Sequence, residues 1–217
     1  MNTFVLFVDM LSFADLTVRH SDDVGSLVAT YTSSQPSNAL ADDIWRSQQP
    51  PLARRFYGFH HCLHTAVNGV QKRGGAAIVF SDSAFLALSS PADTVRTAAQ
   101  LIRSFIQARV PVRMGIASGS FRILRFLSDS SGQSTVHSSQ FLGSAVVGAY
   151  QAESCGIKGL RILVHPDVVS DFAGNGSGSI CSLRDTPSRL AVSHEINYLY
   201  RDDGSVPSNG VISARLP

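Results

Sequence analysis

The stretch Phe4-Val5-Leu6-Phe7-Val8-Asp9-Met10-Leu11-Ser12-Phe13 constrains this chain more than any other. A short, near-continuous run of Val, Leu and Phe reads as a buried strand. It ends on an aspartate, whose carboxylate is pushed out at the strand's C-terminal end. A second stretch, Ala76-Ala77-Ile78-Val79-Phe80-Ser81-Asp82-Ser83-Ala84-Phe85-Leu86-Ala87-Leu88, reads as strand, two-residue turn and strand, with Asp82 in the turn. With that hairpin beside the first strand, Asp9 and Asp82 come together. Two adjacent carboxylates repel unless a cation lies between them, and hard oxygen ligands suit Mg2+ or Mn2+. Either acid alone reads more simply as a strand-end or turn residue; the pair carries the metal reading.

The rest of the chain supplies layers for such a strand. A helix-like segment runs from Ala14 to about Thr32, with Asp22 and Asp23 near its middle turns. A polar linker over 33–38 and a short segment with Ile44 and Trp45 lead to Pro50-Pro51, which punctuates before a second helix. That helix, Leu52 to Lys72, carries Phe56, Phe59, Leu63, Ala66, Val67 and Val70 on one apolar face, and ends at Lys72-Arg73-Gly74-Gly75. After the hairpin, Pro91 opens a third helix to about Arg109. Val110 to Ala117 reads as a strand, Ser120 to Leu127 as part of a second hairpin, and Ser128 to Ser134 as a solvated loop. A fourth helix runs from Gly143 to about Ser154, Leu160 to Val164 is a short buried strand, and His165-Pro166-Asp167 starts a small helix to Phe172. Residues 174–179 are Gly/Ser-rich. The order predicts an α/β sandwich, α+β in character: an antiparallel-rich central sheet with helices packed on one side of it. One domain spans 1–217, with its core at about 4–172 and extra strands and turns over 173–217.

Composition excludes several function classes. A hydrophobic fraction of 44%, a charged fraction of 16% and a net charge of +2 describe a globular chain, not one built for nucleic acid or a membrane surface. Cys62, Cys155 and Cys181 are widely spaced, with no zinc-like pattern, and read as free thiols of a reducing compartment. The first strand starts so near Met1 that no signal peptide is expected, and no apolar run approaches the roughly 20 residues of a spanning helix. A cytoplasmic location follows as an expectation.

His60 and His64, four apart on the second helix, could hold a metal, but with no third ligand they read as helix surface. Arg54 and Tyr57 could touch a phosphate or a base. Arg113, inside a strand between apolar neighbours, needs an acidic or phosphate partner.

Taken together, these landmarks resemble the catalytic domain of class III nucleotide cyclases, with a ferredoxin-like core. Phe7-Val8-Asp9-Met10-Leu11-Ser12-Phe13 resembles the family's F-x-D-I-x-G-F, and Phe80-Ser81-Asp82-Ser83 its I-G-D-G turn. Val112-Arg113-Met114-Gly115-Ile116-Ala117-Ser118-Gly119 is similar to R-V-G-I-H-x-G, and Phe141-Leu142-Gly143-Ser144-Ala145-Val146-Val147 through Glu153-Ser154 to W-G-D-T-V-N through E-S. The resemblance implies that Asp9, Asp82 and the Met10 carbonyl hold two divalent ions, Mn2+ or Mg2+. It implies that backbone N–H groups of Leu11, Ser12 and Phe13 cradle phosphates, and that a homodimer shares its active sites across a two-fold interface.

The departures from the family pattern point to a different base. Its purine-reading lysine falls at Ile78 and its purine-reading aspartate at Gln140, whose amide can serve a pyrimidine edge in either orientation. Its transition-state asparagine falls at Val147 and its arginine at Gln151. The chain is closest in pattern to the pyrimidine cyclases of the bacterial Pycsar anti-phage system, sharing Gly143-x-Ala145-x-x-x-Ala149-Tyr150-x-x-Glu153. That resemblance implies conversion of UTP to cyclic UMP, which activates a downstream effector. Cyclic CMP from CTP is the first alternative, and a catalytically inactive nucleotide-binding or dimerisation module the second.

Overall fold

The computed structural model describes residues 3–20, 50–130, 133–173, 180–183 and 192–199. Strand β1 is Thr3–Met10 and helix α1 is Phe13–Arg19. Helix α2 (Pro51–Lys72), the hairpin β2 (Ala76–Val79) and β3 (Ser83–Leu88), helix α3 (Pro91–Gln107) and strand β4 (Val112–Gly119) follow. Next come β5 (Arg122–Ser130), β6 (Gln133–Leu142), helix α4 (Ser144–Glu153), β7 (Ile162–Val164), a 3-10 turn Pro166–Val168 and the short helix α5 (Val169–Ala173). Strands β8 (Ile180–Ser182) and β9 (His194–Ile196) complete the described elements.

Seven strands form one sheet in the order β2-β3-β1-β4-β7-β9-β8. β1 is antiparallel to both β3 and β4, so the strand with the longest apolar run lies in the interior of the sheet, paired on both edges. The segment β4-β1-β3-β2, with its helices in βαββαβ sequence, has the ferredoxin-like arrangement. The C-terminal strands extend this sheet beyond β7 rather than forming a separate unit.

Alternation along β1 divides the core into two layers. Phe4, Leu6, Val8 and Met10 face α2 and α3, where Phe59 and Phe105 stack at 5.3 Å between centroids. Val5 and Phe7 face the other way, onto Phe85, Ala117, Ala145 and Ala149. Helix α4 therefore covers the second face, which corrects the expectation of helices on one side only. An Ala/Gly stripe (Ala145, Gly148, Ala149, Ala152) brings α4 onto the strands with almost no gap. A Cβ on Gly115 would lie 2.0 Å from the Ala149 carbonyl oxygen, and one on Gly148 would lie 2.8 Å from the Ala117 Cβ. At its start, Ser120 and Ser144 exchange backbone N–H to side-chain hydroxyl bonds of 3.0 Å, tying α4 to the end of β4.

The stretch read as a loop over Ser128 to Ser134 is mostly strand. β5 and β6 pair with each other in a two-stranded ribbon outside the main sheet, with Ser128 opposite Thr135 and Asp129 opposite Ser134. Its Ser/Thr-rich sequence lacks the apolar alternation of a half-buried strand, so pattern gave no strand signal there. The α1 reading ends at Arg19; the expected continuation to Thr32, Asp22, Asp23, Trp45 and the Gly/Ser-rich segment lie outside the described residues. Cys62, Cys155 and Cys181 are free thiols. No helix among the described residues is long and apolar enough to cross a membrane.

Adding one methyl at the tightest helix–strand contact tests this layering. Gly115→Ala forces α4 off β4 and should lower stability by about 3 kcal/mol in denaturant unfolding. A change below about 0.5 kcal/mol would show that the two elements are not in the contact described.

Candidate active site

Asp9 and Asp82 meet at one end of the sheet. In the β1–β3 ladder Asp9 is opposite Ser83, and the Met10 N–H donates to the Asp82 carbonyl at 2.8 Å. Asp82 sits in the turn Phe80 to Asp82 between β2 and β3, three residues where two were expected, with the Phe80 N–H donating to the Ser83 carbonyl at 2.8 Å. The hairpin reading and the juxtaposition of the two acids both follow the sequence expectation.

Asp9 shares the parity of Val5 and Phe7, so its carboxyl faces the α4 side of the sheet. Its neighbours there are charged. Arg113, opposite Asp9 in the β1–β4 ladder, donates from Nε to Glu153 Oε1 at 2.6 Å and from Nη1 to the Ile157 carbonyl at 3.1 Å. Glu153 is buried at the end of α4, with 3% exposure. The Arg113 partner foreseen as an acid or a phosphate is thus an acid from its own chain, and its guanidinium is committed to the fold.

These surroundings leave Asp9 electrostatically unsettled. Burial, then the charges of Glu153 and Asp82, raise its pKa to about 7, against a smaller lowering by Arg113. Burial likewise raises Glu153, with Arg113 opposing. Arg113 is already ion-paired to Glu153, so the Asp9–Asp82 pair retains excess negative charge. A hard divalent cation fits that donor set. Among the described residues no group of three or more His, Cys, Asp or Glu side chains forms a metal cluster. The pair would therefore bind a Mg2+-type ion incompletely, leaving coordination to backbone, water and substrate oxygens.

The remaining candidates are distributed around this pair. Ser12 adopts φ 62, a left-handed turn from β1 into α1, at the place where the resembled pattern has glycine. The Leu11 N–H is occupied by the Pro111 carbonyl at 2.9 Å, so a phosphate cradle there rests on Ser12 and Phe13. Gln140 is exposed on β6, in the ribbon and not on the sheet that carries the aspartates. Arg54 is exposed on the first turn of α2, and Tyr57 stacks on His61 at 5.7 Å. Val147 and Gln151 lie on the exposed side of α4.

Two contributors escaped the sequence reading. Glu153 was visible only as the end of a motif. His60, read as helix surface, is half-buried between Phe56 and Phe59 and lies 3.1 Å from the Ser81 carbonyl through Nε2. The signal was present: His60 falls in the Phe56–Leu63 arc of the apolar face.

No family model matches the chain, and no curated protein sequence matches it. Solved structures do. A dimeric guanylyl cyclase domain of the RhoGC fusion protein from the aquatic fungus Blastocladiella emersonii superposes with a TM-score of 0.54 at 13% identity, over 90% of this chain and 93% of that one. A bacterial light-regulated adenylyl cyclase gives 0.51 at 13% identity, over 91% and 90%. At these identities the likeness is one of fold: the chain has the class III cyclase fold expected from its motifs.

The Asp9 carboxyl gives a signed pH prediction. An unfolded aspartate releases its proton near about 3.9, and the folded one near 7. Between those values the native state holds more protons, so stability falls as pH rises through the window; Glu153 contributes in the same direction. In thermal unfolding from pH 5 to pH 8, Asp9→Asn should flatten this decline, and Mn2+ should raise the wild-type Tm more at pH 8 than at pH 5. Parallel pH profiles for wild type and Asp9→Asn would refute the assignment.

Proposed function

We propose that this chain is a metal-dependent nucleotide cyclase whose substrate is a pyrimidine nucleoside triphosphate, converting UTP to 3′,5′-cyclic UMP and pyrophosphate. The observation that carries this reading is the Asp9–Asp82 pair, held at one sheet end with its negative charge only partly offset by Arg113, which is hydrogen-bonded to Glu153. In the reaction the ribose 3′-hydroxyl passes its proton to solvent water, its oxygen attacks the α-phosphorus in line, and pyrophosphate leaves with the electrons of the broken bond. Asp9, Asp82 and the Met10 carbonyl would hold two Mn2+ or Mg2+ ions. A divalent ion bound there acidifies the hydroxyl and neutralises the phosphates. Backbone N–H groups of Ser12 and Phe13 orient the outer phosphates, with Arg54 as a further contact.

The base reading rests on what the rim offers. Ile78 is apolar and faces no carboxylate role, and Gln140 presents one amide donor and one carbonyl acceptor at an exposed position. Neither supplies the purine-reading groups of the resembled family. The Pycsar resemblance adds the biological setting: a cytoplasmic enzyme whose cyclic nucleotide activates an effector during phage infection.

A homodimer supports this chemistry, because Gln140 and the aspartates lie on different sheets of one chain. The surface that favours it is apolar. Val147 and Tyr150 on α4 are each more than half exposed, and a chain of ring contacts runs from Tyr150 through Phe7, Phe85 and Phe141 to the exposed Phe80. Leu124 and Leu142, on the ribbon, are exposed as well. Exposed aromatic and aliphatic groups of this kind mark association surfaces. Sedimentation should give a dimer, and Tyr150→Glu should weaken association by at least about tenfold. A wild-type monomer at every concentration would exclude shared sites.

Val147 and Gln151, which carry no charge to meet a developing phosphate, favour a second reading as a binding module without turnover. One incubation separates the two. Purified chain with all four ribonucleoside triphosphates and Mn2+ should yield cyclic UMP by mass spectrometry, and Asp82→Ala should cut the rate to below about a thousandth. Cyclic CMP alone would change the base, cyclic AMP would overturn the pocket reading, and ligand-dependent thermal stabilisation without product would favour the module.

A further inference from the structure

The turn that carries Asp82 has support from outside as well as from within. Three residues, Phe80, Ser81 and Asp82, connect β2 to β3, and within the turn the Phe80 N–H donates to the Ser83 carbonyl at 2.8 Å. Neither Ser81 nor Asp82 has a positive φ. Two further bonds reach the turn from other elements. The Met10 N–H fixes the Asp82 carbonyl from β1 at 2.8 Å, and His60 Nε2 reaches the Ser81 carbonyl from α2 at 3.1 Å. The Ser81 hydroxyl adds a local bond to Asp82 Oδ1 at 3.3 Å. β1 and α2 thus grip adjacent carbonyls of the turn from two directions.

His60 is built for this task. Its ring lies 4.4 Å from that of Phe56 and 5.4 Å, edge-on, from that of Phe59, which limits its rotation. Burial lowers its pKa, with the Ser81 bond opposing, so the ring is neutral at physiological pH. A carbonyl oxygen only accepts, which assigns the ring proton to Nε2. The spacing also fits: α2 is anchored in the core by the fully buried Phe59 and Leu63, so the imidazole is presented from a rigid element.

We propose that His60 is a positioning residue for the candidate active site: by donating from Nε2 to the Ser81 carbonyl it fixes the turn that carries Asp82, and with it the placement of that carboxylate beside Asp9. His60 itself touches neither substrate nor metal. The inference rests on the assignment of Asp9 and Asp82 as the metal pair, and it adds that α2, the helix that precedes the hairpin, sets their geometry.

Two variants separate the hydrogen bond from the ring packing. His60→Phe keeps an aromatic ring between Phe56 and Phe59 but removes the donor. His60→Gln restores an amide donor of similar reach. Hydrogen exchange on the metal-free full chain reads the turn directly, through the amides of Met10 and Phe80; calorimetric titration with Mn2+ reads the site. In His60→Phe both amides should exchange about fivefold faster and Mn2+ should bind about fivefold more weakly, the scale of one net hydrogen bond. His60→Gln should lie within about twofold of wild type in both. Wild-type exchange and Mn2+ affinity in His60→Phe would overturn the proposal, as would a His60→Gln that behaves like His60→Phe. Faster exchange with unchanged Mn2+ affinity would also overturn it, leaving His60 a purely structural tie. Asp82→Ala is the control for the underlying assignment. If Asp82→Ala binds Mn2+ as wild type does, the metal pair fails, while the exchange data still decide whether His60 holds the turn.

Discussion

The approach of α4 to β4 sets the terms for the rest of the molecule. Gly115 leaves no room between the strand and the Ala149 carbonyl, and only a stripe of small residues lets the helix lie so near the sheet. This contact covers the second face of β1, which a central strand apolar on both sides requires. It also delivers Glu153 to Arg113 beneath Asp9, and turns Val147 and Tyr150 outward. Were the helix farther away, Glu153 would meet water and Asp9 would lose both its burial and a like-charged neighbour.

The ion pair below Asp9 is better understood through the site than through stability. A buried pair of this kind offsets its own desolvation and adds little net stabilisation. Its effect here is local: Arg113 is hydrogen-bonded to Glu153 and the Ile157 carbonyl, and its charge only partly offsets the burial and like charges that raise Asp9. A raised carboxyl beside a second acid is the electrostatic condition under which a divalent ion binds with most gain. The same arrangement aims the Arg113 guanidinium at Glu153 and the Ile157 carbonyl.

Much of the fold was legible because hydrophobic periodicity and punctuation agreed. Leu52 to Lys72 and Gly143 to Ser154 fall within a residue of the observed α2 and α4, and the hairpin around Asp82 is where its turn residues placed it. The hairpin begun at Ser120 to Leu127 was legible, but its extension through Ser128 to Ser134 was not, because strands that pair outside the main sheet need no apolar alternation. The second helical layer was missed because α4 is mostly small residues, whose pattern carries little amphipathic signal. At the site, the two aspartates were legible from residue type and spacing. Glu153 and His60 were not, since their roles depend on partners 40 and 21 residues away in sequence.

The sequence by itself determined the central strand, the hairpin that carries the second acid and the helices with clear apolar faces, because each follows from local spacing of residue types. Tertiary structure alone decided that α4 lies opposite α2 and α3, that Arg113 belongs to Glu153, and that an imidazole from α2 holds the turn of Asp82. Those relations come from close packing across layers, where which atoms meet depends on how every element is placed, and no local pattern records them.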